Sequence, residues 1–261
     1  MTINSQKQQE YAFYKDNPFY NGPIDLLNQD YVSKSVDQNQ SQLINMYLEV
    51  DQTKGKYSTF AYPLPGLEVF CDTTQSSVRA LIEHNEVLYT VAGNKFYSIN
   101  SVGTKTELGT LNTSSGFAKI AIITGGSDNN NQLVIIDGTN GYHYNIGTST
   151  ATFPIADVDF PQTCVDLVSQ DDYFIVLAIN SISFFISNVA DGLSWSALDF
   201  ASKTGAADRI NAIASSQRKL YLLGSKSTEI YYNSGNQDFP FERVLDVFMH
   251  HGCAARRSVT S

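Results

Sequence analysis

Cysteine, tryptophan, basic charge and long apolar runs are all scarce in this chain. Its three cysteines, Cys71, Cys164 and Cys253, are dispersed through 261 residues without a CxxC. That pattern excludes a disulfide framework and points to reduced thiols. Charged residues make up only 16% and the formal net charge is −9, a balance that repels nucleic acid phosphates unless a local basic patch overrides it. Arg256-Arg257 is the only arginine pair, so the sequence shows no such patch. No apolar run approaches membrane-spanning length, and the polar start Met-Thr-Ile-Asn-Ser-Gln lacks the apolar core of a signal peptide. The expectation is a protein made in a cytoplasm, with no membrane partner. Gly and Asn/Asp/Ser clusters interrupt the apolar runs too often for helices to propagate outside the N-terminal region.

What is present is a repeated β-hairpin. Residues 219–232, Lys-Leu-Tyr-Leu-Leu-Gly-Ser-Lys-Ser-Thr-Glu-Ile-Tyr-Tyr, hold two β-prone runs around the turn formers Gly224, Ser225 and Lys226. The same shape occurs at 87–99, 133–144 and 174–186. The starts at 87, 133, 174 and 220 lie 46, 41 and 46 residues apart, close to the roughly 40–50-residue period of propeller blades. Flanking runs at 77–83 and 105–111, 118–124 and 148–155, 163–169 and 194–200, and 209–215 and 241–247 supply two more strands per repeat. The predicted fold is all-β: a β-propeller, or part of one, of four-stranded antiparallel blades. Residues 252–261 read as the innermost strand of a fifth unit. Residues 1–60 form an N-terminal arm and entry segment, and 61–261 the blades. The arm is rich in Gln, Asn, Asp and Tyr. Its aromatics (Tyr11, Phe13, Tyr14, Phe19, Tyr20, Tyr31) suit docking on the body or a neighbour, and 41–50 reads as a short strand or helix.

Chemistry-bearing motifs are weak. Ser216-Gln217-Arg218-Lys219 has the spacing of a Ser-x-x-Lys nucleophile but lies in a strand connection rather than on a helix. Gly224-Ser225-Lys226-Ser227 lacks the upstream glycine and helix of a phosphate loop. Asp128-Asn129-Asn130-Asn131 lacks the Gly and distal Glu of a calcium loop. Asp171-Asp172 reads as a charged turn. His250, His251 and Cys253 form a local cluster without the fourth ligand of structural zinc. No catalytic residue, cofactor or metal site is predicted. A carbohydrate- or receptor-binding propeller is the alternative, although Trp195 is the only tryptophan. A propeller glycoside hydrolase using acids such as Glu83, Asp137 and Glu229 is the weaker one.

Two ends of the chain carry a resemblance. Ser41-Gln42-Leu43-Ile44-Asn45-Met46-Tyr47-Leu48-Glu49, Gly55-Lys56 and Pro65-Gly66-Leu67 form one. Ile210-Asn211-Ala212-Ile213, the 220–232 hairpin with Gly224, Ser225, Ser227, Thr228, Glu229 and Tyr231, Asn233-Ser234-Gly235, and then Gly252, Ala255 and Ser258 form the other. In order and spacing they resemble the N-terminal portion of tail hub, or packaged-DNA stabilisation (head-closure), proteins of short-tailed bacteriophages. The resemblance implies a structural virion protein without enzymatic activity, assembled in the host cytoplasm. It implies a six-fold ring below the portal and its adaptor protein that closes the DNA exit after packaging and carries a tail needle or spikes. Packaged DNA would pass without sequence-specific contact.

Overall fold

Each hairpin read from the sequence forms the middle of a four-stranded antiparallel sheet. The computed structural model describes residues 46–50, 59–75, 77–125, 130–206 and 208–259. The chain divides into two compact units, 1–68 and 69–261. The described part of the first unit is a hairpin of β1 (Met46–Val50) and β2 (Thr59–Pro63), in which the cross-strand pair Tyr47 and Tyr62 stacks with ring centroids 5.6 Å apart. Of the strand and helix alternatives for 41–50, the described part, 46–50, is a strand. The aromatic arm, Asn45 and Gly55-Lys56 lie outside the described residues.

The second unit contains four blades. The first is β3 (Val78–His84), β4 (Val87–Ala92), β5 (Lys95–Ile99) and β6 (Lys105–Thr110). The second is β7 (Lys119–Ile123), β8 (Gln132–Ile136), β9 (Gly141–Asn145) and β10 (Thr150–Thr152). The third is β11 (Cys164–Gln170), β12 (Tyr173–Ala178), β13 (Ser183–Asn188) and β14 (Asp191–Ser202). The fourth is β15 (Ile210–Ser216), β16 (Lys219–Gly224), β17 (Thr228–Asn233) and β18 (Phe241–Met249). Strands pair in chain order within every sheet. This is the all-β propeller architecture the spacing predicts.

The apolar runs have no polar alternation because the middle blades are covered on both faces. In β8, Leu133 and Ile135 pack with Tyr89, Val91 and Phe96 of the first blade. Their neighbours Val134 and Ile136 point the other way, to Leu167, Phe174 and Val176 of the third. In β12, Ile175 and Leu177 continue the stack onto Ile213, Leu220 and Leu222 of the fourth. A one-residue slip of either strand would exchange these two interfaces, so burial on both sides locks the register.

The first strands of the blades adjoin in succession, β3 with β7, β7 with β11 and β11 with β15. They line a central hollow of about 370 Å³ walled by Ile82, Ile120, Ile122, Val168, Ile213 and Val259. Three of these strands share a bulge near their start, leaving Arg79, Val165 and Asn211 out of register, whereas β7 pairs regularly. Three also end in a two-residue turn with both residues at positive φ: Asn85-Glu86, Asp171-Asp172 and Gln217-Arg218. Such turns match strand twist but ordinarily select Asn-Gly.

One expectation fails. Residues 252–258 form no strand; Arg256–Ser258 is instead a single 3-10 turn. The backbone there is committed to isolated contacts with Gly224 and Asn211 rather than to a ladder.

Candidate functional site

The two C-terminal motif segments, separated in sequence, meet in the fourth blade. Lys203 follows β14 directly, and its ammonium is buried where the tip of the β16–β17 hairpin approaches. Lys203 Nζ donates to Asp208 Oδ1 and to Ser227 Oγ, each at 2.5 Å. Ser227 Oγ in turn donates to Asp208 Oδ1 at 2.6 Å, and the amides of Lys226 and Ser227 donate to Asp208 Oδ2 at 2.8 and 3.1 Å. Burial alone would raise the Asp208 pKa. The Lys203 ammonium, Ser227 and the Lys226 amide outweigh it and hold the carboxyl well below the usual range. A Cβ on Gly224 would sit 2.5 Å from Lys203 Nζ, so only glycine leaves room for this node.

The second layer is the 251–258 segment. Cys253 N donates to Gly224 O at 2.7 Å, Thr228 Oγ1 to His251 O at 2.7 Å, and Asn211 Nδ2 to Cys253 O at 2.8 Å. Arg256 Nε donates to the carbonyl of the bulged Asn211 at 2.7 Å. A Cβ on Gly252 would lie 2.6 Å from Lys226 N and 2.7 Å from Ser225 C, so the segment seats backbone against backbone. Ser258 closes the turn, its amide and hydroxyl both donating to Ala255 O.

A third contact holds the loop after Lys203. Glu229 is completely buried and accepts from Gly205 N at 2.6 Å and Thr204 N at 3.3 Å, with Arg243 Nε 3.5 Å away. Tyr231 OH donates to Ser202 O at 2.9 Å, and its ring meets Phe184 edge-on. Burial pushes its pKa up to about 12.

The motif residues thus separate into two groups. Gly224, Ser227, Thr228, Glu229, Tyr231, Gly252, Ala255 and Ser258 build one latch, with Ser225 exposed at the hairpin tip. Tyr47, Glu49, Pro65 and Gly66 are exposed and belong to the other unit. Sequence reasoning missed Lys203, Asp208 and Arg243. The available signal was a Lys and an Asp bracketing the short loop Thr-Gly-Ala-Ala, a spacing that lets the two pair if the lysine is buried.

The second blade has its own node. Asp137 accepts from Thr139 N (2.9 Å), Asn140 N (2.8 Å), Thr113 Oγ1 (2.7 Å) and Tyr142 OH (2.7 Å). Burial opposes its ionisation, but these hydrogen bonds prevail and lower its pKa. Arg79 completes the joint between the first two blades, donating to carbonyls of Gly93, Thr113, Gly116 and Phe117 and to Thr113 Oγ1.

The weaker motifs become structural. Ser216 and Lys219 are a cross-strand pair flanking a tight turn. The phosphate-loop-like tip gives its amides to Asp208, an internal carboxylate. Asp171 is paired with Arg218 at 3.1 Å across two blades. Asp128 and Asn129 lie outside the described residues. His250 stacks edge-on against Phe248, and Cys253 Sγ donates to Ala255 O. Among the described residues no three His, Cys, Asp or Glu side chains are grouped to hold a metal. Glu83, Asp137 and Glu229 sit in three different blades, and Trp195 is buried against Phe160 with its indole N–H donating to Gly192 O.

A family model described as "Bacteriophage P22 Gp10, beta-propeller" (Phage_stabilise) matches residues 23–261. The chain belongs to this family. It is therefore a phage structural β-propeller protein of the head–tail stabilisation type, associated with the virion. No curated protein matches this Phage_stabilise chain. Similar solved structures include the computationally designed Ika4 protein, at 12% identity over 64% of this chain and 99% of that one, TM-score 0.44. YCF48 bound to D1 peptide is similar at 14% identity over 78% of this chain and 65% of that one, TM-score 0.45. The extracellular domain of BT4673 from B. thetaiotaomicron is similar at 15% over 72% of this chain and only 24% of that one, TM-score 0.45.

Proposed function

We propose that this protein is a subunit of the phage tail hub, a non-enzymatic ring that attaches below the portal and its adaptor protein. In this reading the ring closes the DNA exit after packaging and carries a tail needle or spikes. It is assembled in the host cytoplasm and needs no cofactor. The observation that carries the reading is the family match over 23–261. Internal physics supports it. Polar nodes at Asp137 and Lys203–Asp208 stiffen hairpin tips, the kind of rigid edge that subunit contacts require.

The reading also places the DNA path. The hollow of about 370 Å³ is walled by Ile82, Ile122 and Ile213 together with Lys119, Ser169 and Ser215. A duplex, whose major groove alone is about 12 Å wide, cannot thread it. DNA would run along the axis of the ring, between subunits, past bodies whose net charge of −9 disfavours adhesion. Native mass spectrometry of the protein, alone and mixed with the adaptor from the same virus, tests this. A six-fold ring, free or formed on the adaptor, is the expected result. A persistent monomer that ignores the adaptor overturns it.

A further inference from the structure

The fold assembles a basic pocket that the sequence conceals. Arg256 and Arg257 of the latch segment lie beside the start of the first two blades, where a cavity of about 520 Å³ is lined by Arg79, Lys119, Phe117, Asp166, Arg256 and Arg257, among others. Four cations and one carboxylate thus share a cavity on a chain whose overall charge is −9.

These cations differ in what they have left to offer. Arg79 is engaged by its five hydrogen bonds, and Asp137 lies close enough to act on its charge. Lys119 is paired with Asp166, which is itself saturated by the amides of Leu167 and Ile213. The remaining two are not neutralised by any described residue. Among the described residues Arg256 gives only Nε, to Asn211 O, and neither Arg256 nor Arg257 has an ion pair. Arg257 lies over the Phe117 ring, 4.7 Å from its centroid. An arginine stacked on an aromatic face is held in orientation while its in-plane N–H groups stay open to an acceptor.

We infer that this pocket binds a phosphate group, with Arg256 and Arg257 supplying charge-assisted hydrogen bonds and Phe117 fixing the second guanidinium. Two guanidinium forks that line one cavity and keep unclaimed donors suit the tetrahedral set of phosphate oxygens. The site goes beyond the hub reading and needs no ring, so a failed ring assay leaves it standing.

The test uses the full chain and two probes at low salt: inorganic phosphate, and a short single-stranded oligodeoxynucleotide without terminal phosphates. Calorimetry or fluorescence anisotropy reads binding of each. Binding of inorganic phosphate alone assigns a free anion, and binding of the oligonucleotide assigns the nucleic acid backbone. Either outcome supports the site. If two phosphates of a single strand are neutralised, log K falls against log salt with a slope of about −1.4. Arg257→Gln removes an exposed side chain with no ion pair among the described residues and only the Phe117 ring as a contact, so the thermal midpoint should fall by only a few degrees while affinity drops roughly tenfold or more. Arg218→Gln, at the opposite end of the first strands, is the charge-matched control and should leave affinity within about twofold. Absence of binding to both probes overturns the proposal, and so does an equal loss in the Arg218 variant.

Discussion

The second and fourth blades both anchor a hairpin tip on a buried or half-buried aspartate, yet they recruit opposite kinds of donor. In the second blade Asp137 sits in the turn it stabilises. Two of its four donors are amides two and three residues away, and all four are uncharged. In the fourth, Asp208 reaches a tip 18 residues further on and shares it with the buried ammonium of Lys203. A turn that closes on itself survives the loss of one donor. A tip held by a loop through a buried ion pair makes both charged members indispensable, because the loss of either leaves an uncompensated charge behind.

The contrast is sharpest for Asp208→Asn. It strands the Lys203 ammonium, and a loss of about 3–5 kcal/mol is expected from urea unfolding curves. Gly252→Ala leaves both nodes chemically intact but forces the latch segment off the hairpin tip. About 1–3 kcal/mol should go. Cys253 should become labelled by thiol reagents faster, while Cys164, buried with its pKa pushed up to about 12, stays protected until unfolding. Tyr142→Phe removes one of four donors to Asp137 and the acceptor of Asn112 N. It should cost only about 1–2 kcal/mol by the same denaturation assay.

The smallest effect is a slope. Both aspartates have folded pKa values below the unfolded one. Their contribution is therefore complete above the unfolded value of about 3.9 and is lost as pH falls through the folded values. Stability measured from pH 6 downward should decline below about pH 4. The decline should be shallower in Asp208→Asn than in Tyr142→Phe, which keeps both carboxylates.

The same contrast explains what could be read in advance. The hairpins at 87–99, 133–144, 174–186 and 219–232 were legible because apolar strands and turn formers are local signals. Asp137-Gly-Thr-Asn-Gly likewise announces its own turn. The Lys203–Asp208–Ser227 node was not legible, since its parts meet only after a strand, a loop and a hairpin have been placed. Of the turns at 85–86, 171–172 and 217–218, Asp171-Asp172 was legible as a turn, whereas Gln217-Arg218 has no residue that ordinarily favours positive φ. Residues 252–258 misled for a different reason. Their spacing matched the next blade, but their hydrogen bonds go one by one to Gly224 O and to Asn211 instead of forming a ladder. The basic pocket was hidden because Arg79 and Lys119 are far from Arg256 in sequence.

The outer strands carry one more lesson. In β14 the pairing jumps from Trp195 to Phe200, and in β18 from Arg243 to Phe248, so 196–199 and 244–247 are pushed out of the ladder. Leu198 and Leu245 stand on these protrusions, 83% and 77% exposed. A long, straight blade rim would offer its free amides and carbonyls to any other chain as a template for cross-β growth. With the rim broken midway, a foreign strand can find only short stretches of register. Edge-to-edge pairing of crowded copies is thereby disfavoured at these two rims.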